Sequence, residues 1–196
     1  MKKMKALLLS GCLIGLLCGC GAGTKIDTNT VILDKKGAVT EAIVEDFSQP
    51  YYDADELKAE IESKAAKYNS ETGVEDAVSL EKLELSEDKV ISVRLTFKSC
   101  GDYASFNEKE LFAGTVADAY AAGYTFSSMK DVNQENVVLS AEDVLEKGSM
   151  HIVILEEAQQ VIVPSDICYI SDGVSLVSKK QAVNLNEGER AFIIYE

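Results

Sequence analysis

The sequence lacks the residues on which most familiar active sites are built: it has no tryptophan, two prolines and a single histidine, His151. One histidine is too few for the HExxH helix of a zinc hydrolase, which needs two. The chain also contains no Gly-x-Ser-x-Gly elbow, no P-loop and no Gly-x-Gly-x-x-Gly turn. These absences exclude the common enzyme classes that such motifs mark, and we predict neither a metal site nor a cofactor.

Beyond residue 19 the chain also lacks a second long apolar run and any cluster of basic residues. Residues 1–19 contain three lysines and no acid, so the remainder keeps 16 basic and 33 acidic side chains, a formal charge of −17. Because nucleic-acid binding requires clustered Lys and Arg, we expect no nucleic-acid partner. The length from residue 30 to residue 196 suits one folded domain with a sizeable core.

The first 19 residues have the pattern of a signal peptide. Residues 1–5 carry three lysines, and residues 6–19 carry no charged side chain. This is a basic n-region followed by an apolar h-region. An apolar run of 14 residues is shorter than the roughly 20 that a helix needs to cross a bilayer. The pattern therefore favours a cleaved signal peptide over a permanent transmembrane helix.

The end of this segment, Leu17-Cys18-Gly19-Cys20, resembles the lipobox of bacterial lipoproteins. That family has an aliphatic residue at minus three, a small residue at minus one and then an obligatory cysteine. The resemblance implies cleavage between Gly19 and Cys20 and a diacylglyceryl group on the Cys20 thiol, which would attach the protein to the membrane. Two acyl chains are sufficient for stable anchoring. The expected division is a signal peptide over 1–19, a lipidated cysteine and tether over 20–29, and an extracellular α+β domain over 30–196.

The lipobox fixes an expected location but not an activity. Over its first thirty residues the chain resembles surface lipoproteins of Gram-positive, clostridial-type bacteria, which places it on the extracellular face of the cell membrane. A second match to the lipobox ends at Cys12 but leaves an apolar region of only about five residues. A metal site at these cysteines is disfavoured because zinc sites need further partners on polar loops.

Hydrophobic periodicity predicts an α+β fold with a mostly antiparallel sheet. The segment from Thr30 to Phe47 reads as a hairpin, and Asp53 begins an amphipathic helix that ends near Gly73. A second hairpin and a helical turn repeat this hairpin-helix unit over residues 78–107. In "VISVRLTF", residues 90–97, alternate apolar side chains predict a half-buried strand.

The C-terminal part reads as all β from residue 150 onward. There, Asp172-Gly173 predicts a two-residue hairpin between the strands on either side. The polar segment over 124–140 is a candidate sub-boundary within the domain.

Two cysteines and the histidine supply the candidate chemistry of the domain. Cys100 lies just before a predicted helical turn, where free amide groups would stabilise a thiolate. With His151 downstream, the arrangement resembles cysteine peptidases of the cell-wall hydrolase type. Alternatively Cys100 and Cys168 form a disulfide, which an extracellular location permits, or each is an ordinary thiol.

We therefore expect a lipid-anchored surface protein that binds or scaffolds a partner at the interface of membrane and cell wall. Its partners would be the membrane, through Cys20, and a protein or wall component that the sequence does not identify. An exposed sheet face or edge would make the contact. The alternative is a thiol-dependent peptidase acting on cell-wall peptide through Cys100 and His151. A solute-binding receptor ranks third because such receptors have longer chains with alternating strands and helices.

Overall fold

A computed structural model describes residues 26–196, and its first half contains the two predicted hairpin-helix units. In each unit two antiparallel strands are followed by a helix. Gly37 in the first turn has a φ of +86°, a conformation that glycine adopts without steric cost. The elements are β1 (Thr30–Leu33), β2 (Val39–Asp46), α1 (Ala54–Thr72), β3 (Val78–Leu85), β4 (Val90–Phe97) and α2 (Cys100–Asn107).

The second half is predominantly β, with two short helices before the C-terminal strands. From His151 onward every regular element is a strand, as predicted. The elements are β5 (Leu111–Thr115), α3 (Val116–Ala121), β6 (Met129–Asp131), β7 (Val138–Leu139), α4 (Ala141–Leu145), β8 (His151–Leu155), β9 (Gln160–Ile162), β10 (Ile167–Ser171), β11 (Val174–Ser178), β12 (Gln181–Asn184) and β13 (Ala191–Tyr195).

The strands form two sheets. A seven-stranded sheet has the order β11-β12-β9-β1-β2-β4-β3, and a six-stranded sheet has the order β5-β8-β13-β10-β6-β7. Among the described residues every strand pair is antiparallel except β1 with β9, where Thr30 lies opposite Gln160. The fold is thus α+β and mostly antiparallel, with more strand than helix. None of its helices over residues 26–196 combines the length and apolar character that crossing a membrane requires.

Two apolar clusters build the core, one on each face of the six-stranded sheet. The inner cluster joins this sheet to the seven-stranded sheet and includes Val93, Leu95, Val153 and Ile193. The outer cluster lies on the opposite face, where Ile152, Ile154 and Ile194 meet side chains of α3 and α4. Because side chains alternate along a strand, consecutive residues of β8 and β13 enter different clusters. The molecule therefore has three layers: sheet, sheet and short helices.

Helix α1 begins and ends where the sequence predicts. The Asp53 side chain accepts hydrogen bonds from the backbone N–H groups of Asp55 and Glu56, which caps the N-terminus. Gly73 ends the helix in the left-handed conformation, with a φ of +68°. The apolar side of the helix packs on the inner cluster through Leu57, Ile61, Ala65 and Tyr68.

The hairpin predicted at Asp172-Gly173 is wrong. β10 belongs to the six-stranded sheet and pairs with β6 and β13, whereas β11 belongs to the other sheet and pairs with β12. Gly173 does have a positive φ, +78°. The turn therefore carries the chain from the six-stranded sheet to the seven-stranded sheet, and β11 does not pair with β10.

Strand pairing crosses the candidate sub-boundary over 124–140 in both sheets. β5 lies before this segment and pairs with β8 after it. Likewise β1 pairs with β9, which is about 130 positions away. The residues before and after the segment thus share both sheets and the inner cluster.

Candidate functional site

The sequence predicts Cys100 just before the helical turn, but it is instead the first residue of α2, and its surroundings do not favour a thiolate. The thiol is half-buried against the inner cluster and lies beside the backbone of Ala113. Burial raises the pKa of Cys100 to about 11, more than the backbone hydrogen bonds lower it. The protonated thiol therefore predominates at neutral pH, and a protonated thiol is a poor nucleophile.

His151 lies at the start of β8 and is exposed to solvent. Its ring stacks on Tyr195, with 5.4 Å between the ring centroids and an interplanar angle of 20°. Tyr195 also neighbours Cys100, and its own pKa is raised by burial and by that thiol. The fold thus brings Cys100 and His151 near the same ring: His151 stacks on Tyr195, and Cys100 lies close enough to raise the pKa of Tyr195.

Cys168 lies in β10, where the register with β13 shifts. Its Sγ contacts the carbonyl oxygen of Asp166 at 3.6 Å. Burial raises the pKa of Cys168, and the negative charges of Glu196, Asp131 and Asp166 raise it further. Both Cys100 and Cys168 are free thiols in this structure.

The lipidation and cleavage residues, Cys20 and Gly19, lie outside the described residues. The structure describes the chain from residue 26 onward, including its entry into the first strand. The Asn29 side-chain amide donates to Glu45 Oε1 at 2.9 Å, and its carbonyl accepts from the Val44 N–H at 2.8 Å. The next residue, Thr30, begins β1, which hydrogen-bonds to a neighbouring strand on each side.

A buried polar cluster that sequence reasoning missed joins β2, α2 and the β8–β9 connection. Glu41 occupies an inward position of β2, in the same alternation as Val39 and Ile43. Its Oε2 accepts a hydrogen bond from Asn107 Nδ2 at 3.1 Å, and the Tyr103 hydroxyl lies beside the same carboxylate. Burial raises the pKa of Glu41 by more than these hydrogen bonds lower it.

The connection between β8 and β9 closes the cluster from the six-stranded sheet. Gln159 Nε2 donates to the Tyr103 hydroxyl at 3.3 Å. Glu157 is buried, its Oε1 lies 3.9 Å from Lys109 Nζ, and its Oε2 has no hydrogen-bond partner in the structure. Burial raises the pKa of Glu157, while the charge of Lys109 lowers it. Lys109 is also close enough to Glu41 to lower the pKa of that group.

This polar cluster can hold a proton within the core. It consists of Glu41, Tyr103, Asn107, Lys109, Glu157 and Gln159. The Glu41 and Glu157 carboxylates both have raised pKa values and share the single ammonium group of Lys109. Protonation of either carboxylate therefore leaves one buried negative charge instead of two. Over residues 26–196 no three His, Cys, Asp or Glu side chains come together as metal ligands. The cluster therefore links β2, α2 and the β8–β9 connection without an evident metal site.

The strand alternation gave a signal for the cluster. A carboxylate between Val39 and Ile43 on an otherwise apolar face indicates a buried acid that needs partners. Its partners could not be assigned from the sequence, because Lys109, Glu157 and Gln159 lie in connections without periodicity.

The two edges of the seven-stranded sheet differ in charge. The β3 edge exposes Glu81, Lys82 and Glu84, which form ion pairs with each other or with Arg94. The β11 edge, Val-Ser-Leu-Val-Ser, has no charged residue and exposes Leu176 and Val177. Both edges contain one register shift, so charge is the main difference. Charged side chains on an edge strand prevent pairing with another chain, and β11 lacks that protection.

We expect Cys100 to react slowly with iodoacetamide. In the full chain at pH 7.5, residue-resolved mass spectrometry should show alkylation at least about tenfold slower than at a thiol introduced by Ser175→Cys on exposed β11, because thiolate carries the reaction. The rate at Cys100 should rise as the pH approaches its pKa of about 11. Faster reaction at Cys100 than at the control would favour the peptidase alternative, and a mass two hydrogens lower would indicate the disulfide.

Glu41→Gln should change how the free energy of unfolding depends on pH. The folded state raises the pKa of Glu41 above its unfolded value, so its favourable contribution is complete below about pH 4.5 and is lost as the pH rises through the folded pKa. Relative to the natural chain, the variant should therefore gain stability between pH 4 and pH 8. Each tenfold difference in proton affinity between the folded and unfolded states corresponds to about 1.4 kcal/mol.

Urea unfolding at several pH values measures this effect. Glu87→Gln is the matched control, because it removes one carboxylate from an exposed turn. A stability difference between Glu41→Gln and the natural chain that stays constant from pH 4 to pH 8 would contradict the prediction.

No protein-family model, curated protein or solved structure matches this chain.

Proposed function

We propose that the protein is a lipid-anchored, non-enzymatic binding protein on the extracellular face of the cell membrane. The observation that carries this proposal is the sequence Leu17-Cys18-Gly19-Cys20 at the end of an uncharged segment. A diacylglyceryl group on Cys20 would hold the domain at the membrane without help from its charge. Since the formal charge after residue 19 is −17, anionic lipid headgroups repel the domain.

The entry of the chain into the fold is consistent with anchoring. Ten residue steps separate Cys20 from Thr30, which corresponds to at most about 35 Å of extended chain. At Thr30 the chain enters a strand with neighbours on both sides. The domain would therefore be held firmly and close to the lipid surface.

The binding role is proposed over the peptidase alternative because of the state of the thiol. Cys100 has a pKa of about 11, whereas activated catalytic cysteines have pKa values below the ordinary thiol value of about 8.5. The two carboxylates of the polar cluster, Glu41 and Glu157, interact with Asn107 and Lys109. Among residues 26–196 neither carboxylate forms a hydrogen bond with Cys100 or His151, so neither serves as a third member of a catalytic set.

The β11 edge is the surface that we assign to protein binding. An extended segment of a partner protein would pair with the outer side of β11, which has no neighbouring strand among residues 26–196. Main-chain hydrogen bonds would supply affinity, and Leu176 and Val177 would contact alternate side chains of the segment. The charged β3 edge is unsuited to this role.

Cys20→Ala tests the anchor. The variant should lose the diacylglyceryl group and remain uncut before residue 20, because the thiol is the acceptor. Labelling cells with a fatty acid and mass spectrometry of the N-terminal peptide measure both changes. Cys12→Ala is the matched control and should be lipidated and cut normally. A normally processed Cys20→Ala chain that still carries lipid would contradict the proposal.

In-cell photocrosslinking tests the edge. A photoreactive phenylalanine analogue at Leu176 should yield a discrete crosslinked product with another protein, because a paired segment lies within reach of that side chain. The same analogue at Glu81, on the charged β3 edge, is the matched control and should yield none. Equal products at both positions, or none at Leu176, would count against binding along β11.

A further inference from the structure

Three aromatic rings, of which one is exposed, cluster after β2 in what we call the aromatic tip: Phe47, Tyr51 and Tyr52. Phe47 and Tyr52 stack with 4.7 Å between ring centroids, and Tyr51 meets the edge of Tyr52 at 4.9 Å. Phe47 packs on the inner cluster and Tyr52 is half-buried, whereas Tyr51 is 74% exposed. Tyr51 is thus the most exposed of the large hydrophobic residues that the structure describes.

The backbone around the tip is fixed by local hydrogen bonds. The Phe47 N–H donates to the Lys89 carbonyl at 2.7 Å, which ties the tip to the β3–β4 turn. The Asp46 carboxylate accepts from the Ser48 N–H, and the Tyr52 N–H donates to the Gln49 carbonyl. The backbone that carries the rings therefore loses little conformational freedom when the tip binds a surface.

The tether enters the domain at the same end of β2 as the tip. The Asn29 side chain contacts Val44 and Glu45, and Phe47 lies only two residues beyond Glu45, about 7 Å along a strand. Six residue steps separate Cys20 from Ile26, which span at most about 20 Å. The lipidated end of the chain would therefore keep the aromatic tip within reach of the bilayer.

We propose that the aromatic tip inserts into the headgroup region of the membrane that holds the lipid anchor, with Tyr51 as the leading side chain. This inference rests on the proposed function, because it needs Cys20 to carry lipid. Tyrosine suits this position because its ring is apolar and its hydroxyl stays hydrated, and such rings accumulate at membrane interfaces. The tip would fix the orientation of the tethered domain on the membrane.

The charge around the tip defines the lipid surface that it fits. Carboxylates precede and follow the three rings, so a strongly anionic surface would repel this part of the domain. A zwitterionic headgroup region accepts the rings without that repulsion. The four exposed carboxylates are Asp46, Asp53, Asp55 and Glu56.

The absence of tryptophan makes a direct test available, because one introduced indole is the only one in the chain. The full, lipidated chain carrying Tyr51→Trp is reconstituted into phosphatidylcholine vesicles with ordinary or brominated acyl chains. Lys36→Trp is the matched control, since its turn lies at the far end of β2, eight residues or about 26 Å away. Co-flotation with the vesicles reports anchoring, and indole emission reports contact.

For Tyr51→Trp we expect a blue-shifted emission that loses most of its intensity in brominated vesicles, whereas Lys36→Trp emission should not change. Replacing phosphatidylcholine with anionic phosphatidylglycerol should reduce the quenching, and added salt should restore it. Co-flotation without quenching of Tyr51→Trp would overturn the tip proposal and leave the anchor intact. A blue shift without quenching would indicate a protein partner or a second copy on the tip and would also overturn it. Failure to co-float would overturn the anchor and the tip together.

Discussion

The arrangement of the layers depends on the burial of the six-stranded sheet on both faces. β13 is buried at every position, and β8 is buried at all positions after His151. Such strands cannot face water on either side, so each face needs a separate cover. The seven-stranded sheet covers one face and α3 with α4 cover the other. Short helices suffice on the second side because its apolar cluster is smaller.

Neighbouring residues in the sequence predict where helices and strands lie, but they do not predict which strands pair. The caps of α1 follow from Asp53 and Gly73, because a cap depends on neighbouring residues alone. The prediction of a hairpin at Asp172-Gly173 is wrong, because a glycine with positive φ occurs in a turn between two sheets as well as in a hairpin. The parallel β1–β9 pairing leaves no periodic signal in either short strand.

The candidate site, like the fold, can be predicted only in part from the sequence. Alternation along β2 could have indicated that Glu41 faces inward, but nothing in the sequence indicates that Asn107 and Tyr103 meet it. The sequence places Cys100 next to a helix start, yet its pKa is raised by burial against the inner cluster, which is built by elements far apart in the chain. Charge and burial at a site are set by elements that converge in space, so sequence position alone does not predict reactivity.

The position of β1 within its sheet bears on mechanical load. If the proposed lipid anchor at Cys20 holds the chain, a pull on it is applied at Thr30, where the strand is hydrogen-bonded to β2 on one side and to β9 on the other. The force therefore acts along a strand whose bonds on both sides resist sliding together, and no edge strand can be peeled away first. On such an anchor, the domain would resist a pull by shearing two rows of hydrogen bonds together.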